Sequence, residues 1–100
     1  MNNNTNILSL ESVLVQQPGN IASDMDGEKV MLSVKNGKYY NLGEVGGEIW
    51  TALASPGPVS LVVDTIKENF EVPAELAQKD VLSFLQHLLD EDLIEFVDQP

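Results

Sequence analysis

The sequence predicts an α+β fold in which a three-stranded antiparallel sheet is followed by three helices. Apolar residues alternate with period two along residues 29–35, and a turn-forming pair separates this run from a second β-rich run at residues 38–42. From residue 43 the apolar spacing changes to that of a helix. A chain of 100 residues, 43% of them hydrophobic, can fill one small core. We therefore predict a single domain.

The first twelve residues are expected to form a flexible N-terminal tail, because they are polar and rich in asparagine. The folded domain is predicted over residues 13–97. It begins with the short apolar run Val13–Val15, which ends at the turn-forming segment Pro18–Asn20. The pattern leaves open whether this run is a short strand or an extended lead-in.

Residues 21–42 are predicted to form the three strands of the sheet as a meander. The first turn is expected at Asp26–Gly27 and the second at Asn36–Gly37. Asparagine followed by glycine favours a type I′ hairpin turn, since both central residues need a positive φ. The partner strand is Lys38–Leu42. The period of two places three residues of the middle strand on one face: Val30, Leu32 and Val34.

Three helices follow the predicted sheet. The first begins at Gly43 and ends at Ser55–Pro58, and the second is expected to be capped by Ser60. Pro73 suits the first turn of the third helix. A short extended segment is predicted over Leu93–Val97. The apolar residues of the third helix cover two sides, so that it needs two partners: Leu76, Val81, Leu82, Phe84, Leu85, Leu88 and Leu89.

Charge and composition exclude several classes of protein. The formal net charge is −11, and residues 51–100 carry −8 of it, so the chain would repel nucleic acids and anionic membranes. There is no cysteine and one histidine, which excludes disulfides and Cys/His zinc sites. No apolar run approaches the roughly 20 residues that span a bilayer. We expect a cytoplasmic protein.

No residue pattern predicts catalysis. Ser83, His87 and Asp90 lie on neighbouring turns of one helix, where they cannot flank an imidazole on both sides as a catalytic triad requires. His87 is therefore interpreted as an ordinary surface or groove residue. Since no other constellation resembles an active site, the chain is predicted to be a binding module and not an enzyme.

Two glycine-containing segments are also weak candidates for ligand sites. Asp24–Glu28 resembles the start of a calcium loop, but Lys35 stands where the bidentate glutamate is needed. Gly43–Gly47 lacks the spacing of a nucleotide-binding loop, and close packing of a helix on the sheet explains its glycines. No metal and no cofactor are predicted.

A peptide-binding surface is the best-supported alternative to catalysis. If the strands follow chain order, Lys38–Leu42 lies at the sheet edge and can accept a further strand. The third helix could direct Leu82, Leu85 and Leu89 to the core. A groove against the Tyr39–Tyr40 strand would then be lined by Val81, Phe84 and Leu88. The alternative, equally compatible with the pattern, is that all six residues belong to the core.

The order of these segments resembles the PqqD-like family, also called RiPP recognition elements. The resemblance rests on three short strands, the segment Lys38–Trp50, and the segments Asp80–Leu88 and Asp92–Ile94. It covers roughly residues 13–97. It implies a winged helix-turn-helix domain that binds the leader of a ribosomally made precursor peptide. The chain is most similar to the stand-alone members that serve lasso peptide biosynthesis.

The resemblance also implies a site, partners and a pathway. The leader would add as an antiparallel strand to Lys38–Leu42, and the domain would deliver it to a leader peptidase and an asparagine synthetase-like macrolactam synthetase. Gly43 and Asp92 depart from the family's usual asparagine and glycine. The implied peptide-binding residues are Lys38, Tyr39, Tyr40, Asn41 and Leu42 on the strand, and Val81, Phe84, Leu85 and Leu88 on the helix.

Two other functions are compatible with the sequence. A winged-helix transcription regulator would need basic residues on its recognition helix, where the third helix offers Lys79 among several acids. A structural subunit of another complex could use the same edge strand to pair with a partner chain.

Overall fold

The computed structural model describes residues 7–97, which form two three-stranded antiparallel sheets and three helices. The predicted α+β class is confirmed, with a second sheet in addition. The elements in chain order are β1 (Val13–Gln16), β2 (Asn20–Met25), β3 (Glu28–Ser33), β4 (Lys38–Leu42), α1 (Gly43–Ala52), β5 (Gly57–Pro58), α2 (Val59–Phe70), α3 (Ala74–Asp90) and β6 (Ile94–Phe96).

Strands β2, β3 and β4 form the predicted meander, here called the wing sheet. The type I′ geometry occurs at the first turn, where Asp26 and Gly27 both have positive φ. The type I′ turn predicted at Asn36–Gly37 is wrong, since only the glycine of that pair has a positive φ. The loop there runs over residues 34–37 and is closed by the Gly37 N–H, which donates to the Ser33 carbonyl at 2.9 Å.

A second, smaller sheet joins the two ends of the described chain. Strand β1 lies between β5 and β6, and both pairings are antiparallel. The run at Val13–Val15 is therefore a strand, and the extended segment predicted over Leu93–Val97 contains β6. Because β1 and β6 are distant in sequence, no local turn signal announced their pairing.

The predicted tail is only partly observable. Residues 1–6 lie outside the described part of the chain. Within residues 7–12, Leu8 and Leu10 are half-buried and pack against the core. The expectation that nothing before residue 13 joins the core is therefore wrong for these two leucines.

The same N-terminal segment caps α2. The Val59 N–H donates to the Ser12 carbonyl at 2.9 Å, and the Ser60 N–H donates to the Leu10 carbonyl at 3.0 Å. The helix begins directly after Pro58 and has no side-chain cap. The prediction that Ser60 caps this helix is therefore wrong, because carbonyls of the N-terminal segment satisfy the free N–H groups instead.

One apolar core lies between the inner face of the wing sheet, the helices and the small sheet. On β3 the inward residues are Met31 and Ser33, and both are buried. The apolar alternation Val30, Leu32, Val34 therefore faces away from the core. The buried apolar residues are Leu14, Met31, Ile49, Trp50, Leu53, Val59, Val62, Val63, Ile66, Ala77, Val81, Leu85, Leu88, Leu93 and Ile94.

Helix α1 approaches its neighbours through two glycines, and we expect them to differ in tolerance. A Cβ on Gly47 would lie 2.7 Å from the Cβ of Lys29, whereas one on Gly46 would lie 2.7 Å from the ring tip of Phe84. A Cβ cannot move without its backbone, but a ring tip can rotate away. We expect Gly47→Ala to lower the free energy of unfolding by about 1–3 kcal/mol, as overpacking does.

Gly46→Ala should lower the free energy of unfolding less than Gly47→Ala does, because the Phe84 ring can rotate away. Both substitutions gain the same helix propensity. Urea unfolding of the two variants and the wild type measures the difference. Equal effects, or a larger loss for Gly46→Ala, would contradict the close packing of α1 on β3.

Candidate functional site

Strand β4 is an open edge of the wing sheet. Among the residues that the structure describes, β4 pairs with β3 alone, with Tyr40 opposite Met31 and Asn41 opposite Val30. Backbone N–H and C=O groups on its other side are therefore free to pair with an incoming strand. The structure thus places Lys38–Leu42 where the sequence predicted the edge.

A hydrogen-bonded cluster ties the β3–β4 hairpin to the C-terminal end of α3. The Tyr40 hydroxyl donates to Oε1 of Glu91 at 2.8 Å. The Asn36 side-chain amide donates to the Tyr40 hydroxyl oxygen at 3.0 Å and to the Glu91 carbonyl at 2.8 Å. We call Asn36, Tyr40 and Glu91 the hairpin lock. It ties the middle of the edge strand to the residue that follows α3.

Two lysines add charge pairs around the lock. Lys38 Nζ lies 3.7 Å from Oε1 of Glu91, and Lys35 Nζ lies 3.6 Å from Oδ2 of Asp92. The hydrogen bond from Tyr40, followed by the positive charge of Lys38, lowers the pKa of Glu91 below its usual 4.5. The charged carboxylate is therefore favoured in the folded state.

This lowered pKa predicts a pH dependence. The stabilisation is fully present above pH 4.5 and is lost as the pH falls through the folded-state pKa of Glu91. We expect Tyr40→Phe to be less stable than the wild type at pH 7, and the difference to shrink below pH 4.5. Urea unfolding at pH 7 and below pH 4.5 measures this difference in stability. Tyr39→Phe is the matched control, because Tyr39 is exposed and outside the lock. A pH-independent difference would contradict the lock.

The structure buries a different set of α3 residues from the set that the sequence pattern assigned to the core. Val81, Leu85 and Leu88 are fully buried, so they offer no accessible surface to a ligand in this structure. Phe84 is half-buried, as are Leu82 and Leu89. The pattern-based division is therefore wrong for Val81 and Leu88, which belong to the core. Leu85 is buried as that division predicted, so its implied place among the peptide-binding residues is wrong.

The accessible apolar surface beside β4 comes from fewer residues than the sequence suggested. Tyr40 and Leu42 on the strand are half-buried and pack against the core. Phe84 on α3 reaches α1, with its ring close to Gly46. Val45, the neighbour of Gly46, is 38% exposed. These four side chains, Tyr40, Leu42, Val45 and Phe84, are the candidate apolar contacts of a strand docked on β4.

The two departures from the family pattern, Gly43 and Asp92, lie at the start of α1 and after α3. The Gly43 N–H donates to Oδ1 of Asn41 at 3.0 Å, and α1 has no side-chain cap. Asp92 adopts the left-handed conformation with φ of 61°, as the turn after α3 requires. The roles of Asn36, Asn41 and Glu91 were not predicted, because their partners come from other elements or from the turn itself.

Other parts of the described chain lack the features of a reactive site. His87 is exposed on α3. Residues 7–97 contain no group of three His, Asp or Glu side chains placed to hold a metal ion, and no helix among them is long and apolar enough to cross a membrane. A cavity of about 550 Å³ lies between the β2–β3 turn and helices α1 and α2, and polar residues such as Asp24, Glu48 and Asn69 line it.

Comparison with protein families gives one match that covers most of the fold. Residues 28–94 match the family described as coenzyme PQQ synthesis protein D, or PqqD. The chain belongs to the PqqD family. This match contains the wing hairpin β3–β4, all three helices and the start of β6, and therefore the whole candidate edge. The PqqD-like recognition elements are non-catalytic.

Two solved structures share the fold. One is TbiB1 in complex with the TbiA(beta) leader peptide, which is 26% identical, has a TM-score of 0.74, and is matched over 85% of this chain and 99% of that chain. The other is the PqqD truncation of Methylobacterium extorquens PqqCD, a stand-alone RiPP recognition element, with 14% identity, a TM-score of 0.74, and coverage of 89% and 95%. A search of curated protein sequences gives no match.

The matches agree with the sequence-based interpretation. The suspected PqqD-like RiPP recognition element is confirmed at the level of family and fold. The winged helix-turn-helix description is compatible with the wing sheet and the α2–α3 pair.

Proposed function

We propose that this PqqD-family domain binds the leader region of a ribosomally made precursor peptide as a further antiparallel strand on β4. The observation that carries the proposal is the open edge of Lys38–Leu42, which Tyr40 ties to the C-terminal end of α3, the helix that carries the half-buried ring of Phe84. Backbone hydrogen bonds would supply affinity, and alternate side chains of the peptide would pack against Tyr40, Leu42 and Phe84. The TbiB1 structure, which contains a leader peptide, supports this assignment.

The hairpin lock supports a preformed site. Because Tyr40 is bonded to Glu91 and Asn36 bonds to both, strand and helix are fixed relative to each other before a peptide arrives. A peptide that docks on a preorganised edge loses less affinity to ordering of the receptor.

Charge argues for a peptide and against a nucleic acid. The net charge is −11 and the chain has no arginine. Of its five lysines, Lys29, Lys35 and Lys38 are each within 4 Å of a carboxylate. A DNA-binding surface would need free basic residues against the phosphates.

The pathway that we propose for this leader binding is lasso peptide biosynthesis, in the cytoplasm. The domain would hold the leader while a leader peptidase and an asparagine synthetase-like macrolactam synthetase act on the precursor. This assignment rests on the resemblance to the stand-alone members that serve lasso peptide biosynthesis, and the similarity to TbiB1, solved with a leader peptide, supports its leader-binding part. Catalysis would belong to those enzymes.

A titration tests the binding. A fluorescent synthetic copy of the leader encoded beside this chain's gene is titrated with the full chain, and we expect saturable binding at micromolar concentration or below. Duplex DNA of random sequence at low salt is the comparison. No saturable peptide binding, or stronger binding to DNA, would contradict the proposal.

A further inference from the structure

The face of the wing sheet turned away from the core is unusually apolar. Antiparallel sheets with one solvated face normally carry polar residues there. Here Glu28 is the one charged residue at the outward strand positions of β2, β3 and β4. We call these positions the outer face: Ile21, Ser23, Met25, Glu28, Val30, Leu32, Tyr39 and Asn41.

One row of the outer face leads directly to the open edge. Ile21 lies opposite Leu32, and Leu32 lies opposite Tyr39. Tyr39 ends the row on β4 and is 76% exposed, and Ile21 at its other end is 60% exposed. Directly opposed side chains in antiparallel strands have Cβ atoms about 4.5–5.5 Å apart. A strand added to β4 would therefore place a side chain next to the Tyr39 ring.

A second copy of the chain is a poor occupant for this face. Strands β2 and β3 have six residues and β4 has five. At about 3.4 Å per residue and about 4.8 Å between strands, the sheet has a flat footprint of about 280 Å². A stable interface buries about 800 Å² on each partner. Two copies would also bring together chains that each carry a net charge of −11. An added peptide strand needs no such area, since backbone pairing on β4 already anchors it.

We propose that the bound peptide is read on both faces of the sheet, with Tyr39 selecting an apolar side chain on the outer face. This inference rests on the proposed strand addition to β4. Side chains alternate along a strand, so one set packs against Tyr40, Leu42 and Phe84 while the other continues the row Ile21, Leu32, Tyr39. The peptide recognised has apolar residues at adjacent positions, in contrast to the simple alternation that a one-sided groove would select.

Selection from a displayed library tests this reading without knowledge of the natural leader. Random twelve-residue peptides are selected against the wild type, Tyr39→Lys and Ile21→Lys. For the wild type we expect enriched peptides with apolar residues at adjacent positions. For Tyr39→Lys the inward positions should stay apolar, while the outward position beside residue 39 changes to Asp or Glu.

Synthetic copies of the wild-type winners should bind Tyr39→Lys about two- to fivefold more weakly, the range expected for one cross-strand pair. Ile21→Lys is the matched control. It places the same charge on the same row, but on β2, two strands away from the β4 edge, and should leave both the selected pattern and the affinities unchanged.

Each other outcome overturns the inference in a recognisable way. Winners that alternate apolar and polar residues, unchanged by Tyr39→Lys, would leave strand addition standing and remove the outer-face reading. No enrichment against any variant would overturn strand addition and this inference together. A wild type that sediments as a dimer while Ile21→Lys sediments as a monomer would assign the outer face to a second copy.

Discussion

Phe84→Ala is expected to weaken binding of the leader peptide by about 30-fold or more, the loss that corresponds to about 2 kcal/mol for an aromatic contact at the centre of an interface. Phe84 is the one residue of the predicted helix wall that is partly exposed, and its ring lies between α3 and the start of α1. Removing the ring would take away the apolar surface on which inward side chains of the peptide would rest in the proposed complex. The measurement is the fluorescence titration described above.

The control for this variant is Leu76→Ala on the same helix. Leu76 is 48% exposed and lies near the N-terminal end of α3, whereas the hairpin lock contacts the C-terminal end. Its substitution should leave peptide affinity within twofold. Urea midpoints of both variants establish that they are folded. A folded Phe84→Ala domain with unchanged affinity would show that α3 is not a wall of the site.

Leu85→Ala is expected to lower the free energy of unfolding by about 2–5 kcal/mol, the range for a large aliphatic residue removed from a packed core. Leu85 is fully buried, on the face of α3 that also carries Val81 and Leu88. For a domain of this size such a loss is a large part of the total stability. Any loss of peptide binding in this variant would follow from unfolding.

Urea unfolding measures this effect, with Leu76→Ala again as the exposed control on the same helix. Leu76→Ala should change the free energy of unfolding by less than about 0.5 kcal/mol. A loss below 1 kcal/mol for Leu85→Ala would contradict its place in the core. It would instead support the sequence-based hypothesis that Leu85 lines the groove.

The contrast between these neighbours shows where sequence reasoning about α3 reached its limit. Periodicity predicted that the helix is apolar on two sides, and the structure agrees. It could not say which side meets the core, because Val81, Phe84 and Leu88 repeat with the same spacing as Leu82, Leu85 and Leu89. In the structure, the core side of α3 carries Val81, Leu85 and Leu88. Which side faces the core depends on α2, β6 and the remaining core residues.

The two turns of the wing sheet also differ from what local sequence predicted. Asn36–Gly37 carried the stronger hairpin signal, yet the type I′ conformation formed at Asp26–Gly27. Asn36 instead directs its amide to Tyr40 and to the Glu91 carbonyl, far away in sequence. A tertiary contact thus overrode a local preference whose strength is about the same order as one hydrogen bond.

The sequence by itself determined the class of the fold, the wing meander, the three helices, the edge strand Lys38–Leu42 and an acidic charge that argues against nucleic acid. These features follow from local periodicity, turn residues and composition. The tertiary structure alone decided the β1–β6 pairing, the capping of α2 by residues 10 and 12, the hairpin lock and the core face of α3. Each of these depends on contacts between residues distant in sequence, and such contacts leave no period in the chain.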